Sequence, residues 1–237
     1  MRCVTAALVL CGFAALFQPN ASTAAPMDLD TIIVDETPEQ LCDRLASDPF
    51  AGFGPVEWAQ PFHTIDFYRA GPACAQAMKK HPDEPRFALG TAFASIAGKR
   101  NDDAKKLLAP LVAKGNTSAI LALAYISPEA EAADLMHRAA EAGSTPGMIL
   151  FGMTQITGKG IDKNMIDGVR MIRRAADSGS TRAMLILANF YNSGAYGVGL
   201  NPAEAKSLIA KAASLGDPAA KDMLASLEEG GQDRTAQ

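Results

Sequence analysis

Few residues in this 237-residue chain could do chemistry, and none of them gather. His63, His81 and His137 are the three histidines and lie far apart, and the four cysteines contain no C-x-x-C pair. A bound metal takes several such ligands together, so neither a metal nor another cofactor is expected. The chain holds no G-x-S-x-G elbow, S-x-x-K, H-E-x-x-H or G-x-x-x-x-G-K-[ST] phosphate loop. Those patterns place a nucleophile, a base or a phosphate cradle, so no catalytic residue is assigned and no enzyme is expected. Asp102-Asp103 and Glu228-Glu229 read as helix-end or solvated charges. Arg170, Arg173 and Arg174, with Arg182, could form a basic cluster but read first as a solvated face. The net charge is −4, with 22 Lys and Arg against 26 Asp and Glu. A nucleic-acid or anionic-membrane binder needs a basic face instead.

The elements that carry these residues begin with an address. Met1-Arg2 is followed by a mostly apolar run from Val4 to Phe17 and by the small residues Ser22-Thr23-Ala24-Ala25. Charge, short apolar core and small-residue site are the order of a secretory signal, read here over residues 1–24 with cleavage after Ala24. An uncleaved membrane anchor is the alternative, but the apolar run falls short of the roughly 20 residues a spanning helix needs. Export makes disulfides possible. Cys42 and Cys74 are the even pair left after the signal, and they form either a bridge or two buried thiols. A bridge would close a loop of about 33 residues, worth ~3–4 kcal/mol in the chain-entropy model.

Composition points to helices beyond the signal. The chain is 48% hydrophobic and 20% charged, which excludes a wholly disordered protein, and only 6% aromatic. A core rich in Ala, Leu, Ile and Met suits closely packed helices.

Self-comparison then exposes a repeat. Arg138-Ala139-Ala140-Glu141-Ala142-Gly143, Arg174-Ala175-Ala176-Asp177-Ser178-Gly179 and Lys211-Ala212-Ala213-Ser214-Leu215-Gly216 are versions of one hexamer. Gly115 ends an earlier, degenerate copy, 28 residues before Gly143, whereas the later glycines are 36 and 37 residues apart. Eleven positions before each Gly stand Ala104, Ala132, Gly168 and Ala205; seven before stand Leu108, Met136, Ile172 and Ile209. Four after stand Ala119, Gly147, Ala183 and Ala220; nine after stand Ala124, Gly152, Ala188 and Ala225. Offsets of three, four and seven share one helical face. Each unit is therefore expected to be two amphipathic helices, with the Gly as a C-terminal cap. Small residues at the crossings let the helices stack closely. Ser127-Pro128, Asn201-Pro202, Asp217-Pro218 and Thr37-Pro38 read as caps with proline at the first helical position. Gly158-Lys159-Gly160 and Gly194-Ala195-Tyr196-Gly197 read as the loops inside two units. Pro49 to Pro61 reads as an irregular connector.

The unit Ala183, Leu187, Ala188, Tyr191, Gly194, Gly197, Val198, Ala205, Lys211, Ala212, Ala213, Gly216 resembles the Sel1-like repeat, a relative of the tetratricopeptide repeat. The preceding unit departs from it with Gln155 for the Tyr and Gly168 for the Ala. The resemblance implies an all-α fold, an α-α superhelix (solenoid) of helix pairs. Residues 85–227 would form the solenoid, residues 25–84 an N-terminal segment and helical cap, and residues 228–237 a flexible tail. Cys42, Ala73-Cys74, Pro82, Pro85-Arg86 and Leu89-Gly90 are similar to the N-terminal segment of exported bacterial members, which supports the Cys42–Cys74 bridge. The resemblance implies a non-enzymatic scaffold that binds a protein partner in the periplasm or envelope. No nucleic acid is implied, and membrane association only if the signal stays uncleaved. Polar or aromatic residues on the first helix of each pair, Gln155, Asn189, Phe190 and Tyr191, are the candidate partner contacts. The alternative is a cell-wall-directed enzyme, or a penicillin-binding or β-lactamase-like Sel1 protein. That reading is weakened by the missing S-x-x-K and per-repeat cysteine pairs.

Overall fold

The computed structural model describes residues 36–50 and 62–235, with side chains through 228. The signal reading over residues 1–24 and most of the Pro49–Pro61 connector lie outside the described residues. Eleven α-helices follow one another: α1 Pro38–Leu45, α2 Phe67–Lys80, α3 Pro85–Ala97, α4 Asn101–Ala113, α5 Thr117–Tyr125, α6 Glu129–Glu141, α7 Thr145–Thr157, α8 Met165–Asp177, α9 Thr181–Ser193, α10 Pro202–Ser214 and α11 Pro218–Thr235. No strand occurs among the described residues. Each helix packs mainly on its neighbours in sequence, so the all-α solenoid expected from the repeat is the observed architecture.

The junctions between units have a specific hydrogen-bond design. Gly115, Gly143, Gly179 and Gly216 all have positive φ, between 77° and 95°, which glycine adopts without steric cost. At each junction the Gly N–H returns to one carbonyl and the next residue's N–H reaches one position further back. Gly179 N bonds Ala176 O at 3.0 Å and Ser180 N bonds Ala175 O at 3.1 Å. This is a Schellman closure. The residue after the Gly then opens the following helix with its side chain. Asn116, Ser144, Ser180 and Asp217 accept from the N–H of Ala119, Gly147, Ala183 and Ala220 at 2.9–3.3 Å. One residue thus satisfies orphan groups on two helices, and the turn between units is as short as the chain allows.

The small columns sit where helices cross. Ala104, Ala119, Ala183, Ala188, Ala205 and Ala220 are fully buried. Gly152 and Gly168 face each other across the α7–α8 crossing. A Cβ at Gly152 would lie 2.7 Å from Gly168 O, and one at Gly168 would lie 2.5 Å from Gly152 O. The departure of Gly168 from the repeat is therefore a matched close approach of two backbones. Ala225 is exposed although its equivalents Ala124 and Ala188 are buried, because no described helix follows α11.

At the N-terminal end, α1 and α2 pack on each other and on α3. Thr37 and Gln40 form a complete capping box on α1. Cys42 and Cys74 form a disulfide between α1 and α2. Both sulfurs rest against α3 at Gly90, where a Cβ would lie 2.8 Å from Cys42 Sγ and 3.0 Å from Cys74 Sγ.

One expectation is corrected. Ser127 does not cap α6: the N-cap is Pro128, with no side-chain cap hydrogen bond. The serine comes one residue too early, and its hydroxyl is buried without a partner instead. The last helix spans Pro218–Thr235. Asn201 and Asp217 do cap their helices.

Candidate functional site

Twelve positions after the first three junction glycines, the chain carries Ser127, Gln155 and Tyr191. Six positions before the same glycines it carries Ala109, His137 and Arg173. The Arg173–Tyr191 members of the two columns are bonded and the His137–Gln155 members line one cleft, with different chemistry at each junction.

In the last case the pair is closed. Arg173 Nη2 donates to the Tyr191 hydroxyl at 2.5 Å, and its guanidinium lies 5.9 Å from the Tyr191 ring centroid. Tyr191 is 8% exposed and fills the space beside α8. One unit earlier the pair is unmade. His137 turns aside to stack on Phe151, with centroids 4.5 Å apart, and lies 3.5 Å from Glu141. Gln155 Oε1 is buried with no hydrogen-bond partner. A cleft of about 470 Å³ opens here, lined by His137, Phe151, Gln155, Asp167, Arg170, Met171 and Arg174. Arg170 pairs with Asp167 at 2.6 Å, an exposed i,i+3 pair of the weak kind.

In the earliest case both members are small. Ser127 Oγ, like Gln155 Oε1, is buried and unpartnered. α5 has 9 residues against 13 in α7 and α9, so a whole turn is missing beside it. A largely apolar groove of about 410 Å³ remains, with Leu121, Met136, Leu150 and Met153 among its walls and Ser127 at its side. The loop after α7 closes one end. Gly160 lies against the backbone of Glu129, and Lys159 Nζ is 3.5 Å from the Glu129 carboxylate.

The four residues named as partner contacts therefore occupy different situations. Gln155 is half-buried at the cleft and Asn189 is exposed on α9. Phe190 is buried, with its ring edge-on to Tyr196 at 4.6 Å, and Tyr191 is buried against Arg173. Nor do the four arginines gather. Arg170 and Arg174 line the cleft, Arg173 serves Tyr191, and Arg182 is buried near Asp217. Burial pushes the Arg182 guanidinium below its usual pKa, opposed by the Asp217 charge. At the other end, Lys80 Nζ lies 2.9 Å and His81 Nε2 3.1 Å from Glu39 Oε1. Hydrogen bonds from Lys80, the α1 backbone, Thr37 and His81 hold the Glu39 carboxyl down at about 2. Among the described residues no three of His, Cys, Asp and Glu gather as a metal site would require, and no helix is long and apolar enough to cross a membrane.

Sequence reasoning recognised Gln155 and Tyr191 as one column. It missed Ser127 as the third member, because a serine before a proline looks like a cap. Counting from the glycine was the signal that would have found it.

No protein-family model and no curated protein matches the chain. Solved structures do. A Sel1 repeat protein from Oxalobacter formigenes is 26% identical, with a TM-score of 0.52, over 68% of this chain and 70% of that one. A protective antigen of uropathogenic Escherichia coli strains displaying an SLR fold is 19% identical, with a TM-score of 0.47, over 70% of this chain and 45% of that one.

Proposed function

We propose that this chain, a Sel1-like repeat protein, is a non-enzymatic interaction scaffold that works in the periplasm or cell envelope. One observation carries the reading. From unit to unit the columns that hold the stack are small and largely buried, while the surface beside them differs: a largely apolar groove at Ser127, a cleft lined by polar side chains at Gln155 and a filled site at Tyr191. Architecture repeats and surface chemistry varies, which is how a solenoid presents a distinct face to a partner. Gln155 and Asn189 are the expected contacts among the four named; Phe190 and Tyr191 act through packing.

Export rests on two supports. Residues 1–24 have the order of a secretory signal, and a disulfide such as Cys42–Cys74 persists in an oxidising compartment. Intact mass under non-reducing conditions tests both: the expected species begins at Ala25 and is two hydrogen atoms lighter than the dithiol.

Crosslinking in the native envelope followed by mass spectrometry tests the scaffold. A stable protein partner is the expected result. Recovery of none, together with β-lactam turnover by the purified protein, overturns the reading in favour of the enzyme.

A further inference from the structure

The cleft at Gln155 is a place where the repeat leaves its own interaction unmade. In the following unit the same two columns are closed by Arg173 and Tyr191. Here the equivalent His137 and Gln155 are not bonded to each other, and both line a cavity of about 470 Å³. An apolar pair would have closed such a void. Polar side chains line it instead, and a buried polar atom without a partner is costly. Arg170 and Arg174 project from one face of α8, four residues apart and so side by side. Arg174 has no ion pair among the described residues. Asp167 offsets one of the two charges, and Glu141 faces His137 from the far side. The lining thus combines a guanidinium pair, one amide and the apolar surfaces of Phe151 and Met171.

We propose that this cleft receives an acidic peptide segment of the protein partner, with a carboxylate seated between Arg170 and Arg174. The Gln155 amide donates to the peptide backbone, and Phe151 and Met171 cover the aliphatic part of the acidic side chain. Planar guanidinium groups match a carboxylate in a way that a bulk positive surface does not. The proposal rests on the scaffold reading and gives it a ligand class.

Fluorescence anisotropy with a fluorescein-labelled Asp/Glu-rich peptide tests it, with a Lys/Arg-rich peptide of equal length as control. Saturable binding of the acidic peptide alone is expected. Arg174→Glu should weaken it about tenfold or more, the loss of one charge-assisted contact. Arg174→Lys should weaken it less, and Lys206→Glu, an exposed charge change on α10, should leave it unchanged. The double variant His137→Arg/Gln155→Tyr imports the closed pair of the next unit. It should melt higher and lose the peptide despite its extra positive charge. Four results would overturn the proposal: no saturable binding, equal loss from Arg174→Glu and Lys206→Glu, full binding by the filled variant, or displacement by equimolar inorganic phosphate. Partner crosslinks that survive Arg174→Glu would overturn this site and leave the scaffold standing. Peptide binding together with no captured partner and with β-lactam turnover would overturn the scaffold and not the cleft.

Discussion

Gly90 shows how much one residue can decide. It sits inside α3, where a glycine weakens a helix, yet both disulfide sulfurs occupy the space its side chain would need. Gly90→Ala should therefore destabilise by ~1–3 kcal/mol, as overpacking does, despite the better helix propensity of alanine. The penalty should shrink in a Cys42→Ala/Cys74→Ala background, because the clash is with the sulfurs; thermal melts of the four proteins form the required cycle. Ser127 offers a test of sign. Its hydroxyl is buried and unpartnered, so Ser127→Ala should raise the melting temperature, by up to ~1 kcal/mol in stability. A helix cap would do the opposite, and a lowered melting temperature would restore the reading of Ser127 as one.

At the scale of the element, the junction residue carries two duties. Ser180 closes α8 with its backbone N–H and opens α9 with its hydroxyl. Ser180→Ala removes only the second, and should cost about 1 kcal/mol, the usual loss of an N-cap. Ser180→Asp keeps the cap and should retain the wild-type melting temperature. The N-terminal pair of helices is tied by charge as well as by the disulfide. Glu39 on α1 meets Lys80 at the end of α2 and His81 after it. Its carboxyl is held at about 2, below the 4.5 of an ordinary glutamate. A depressed carboxyl contributes stability that is complete above the unfolded value and lost as pH falls through the folded one. The Glu39 contribution should fade between about pH 4.5 and pH 2, and Glu39→Gln should flatten that part of a melting-temperature profile. An unchanged slope in the variant would show that other carboxylates carry it.

At the scale of the whole molecule, stability is shared between neighbouring units. Ala188 is fully buried on α9, and α9 and α10 are among the most extensively packed neighbours. Ala188→Leu should overpack the crossing and cost ~1–3 kcal/mol. Ser193, exposed at the end of the same helix, should accept leucine with little change. Equal shifts in calorimetry would undo the assignment of faces.

The phase of the repeat, the glycine junctions and the all-α fold were legible in the sequence because each has a local cause. A positive φ demands glycine, and a helical face demands its spacing of three and four. Those rules act within a few residues and leave columns that can be counted. Tertiary structure alone decided the rest. It set the Cys42–Cys74 bridge against Gly90, so that residues of three separate helices meet at one point. It also decided which polar members of one column find partners. Tyr191 is long enough to reach Arg173 on the neighbouring helix; Gln155 Oε1 and Ser127 Oγ are buried without a hydrogen-bond partner. Whether two side chains meet across a helix crossing depends on distances of an ångström or two, which spacing along the chain does not encode.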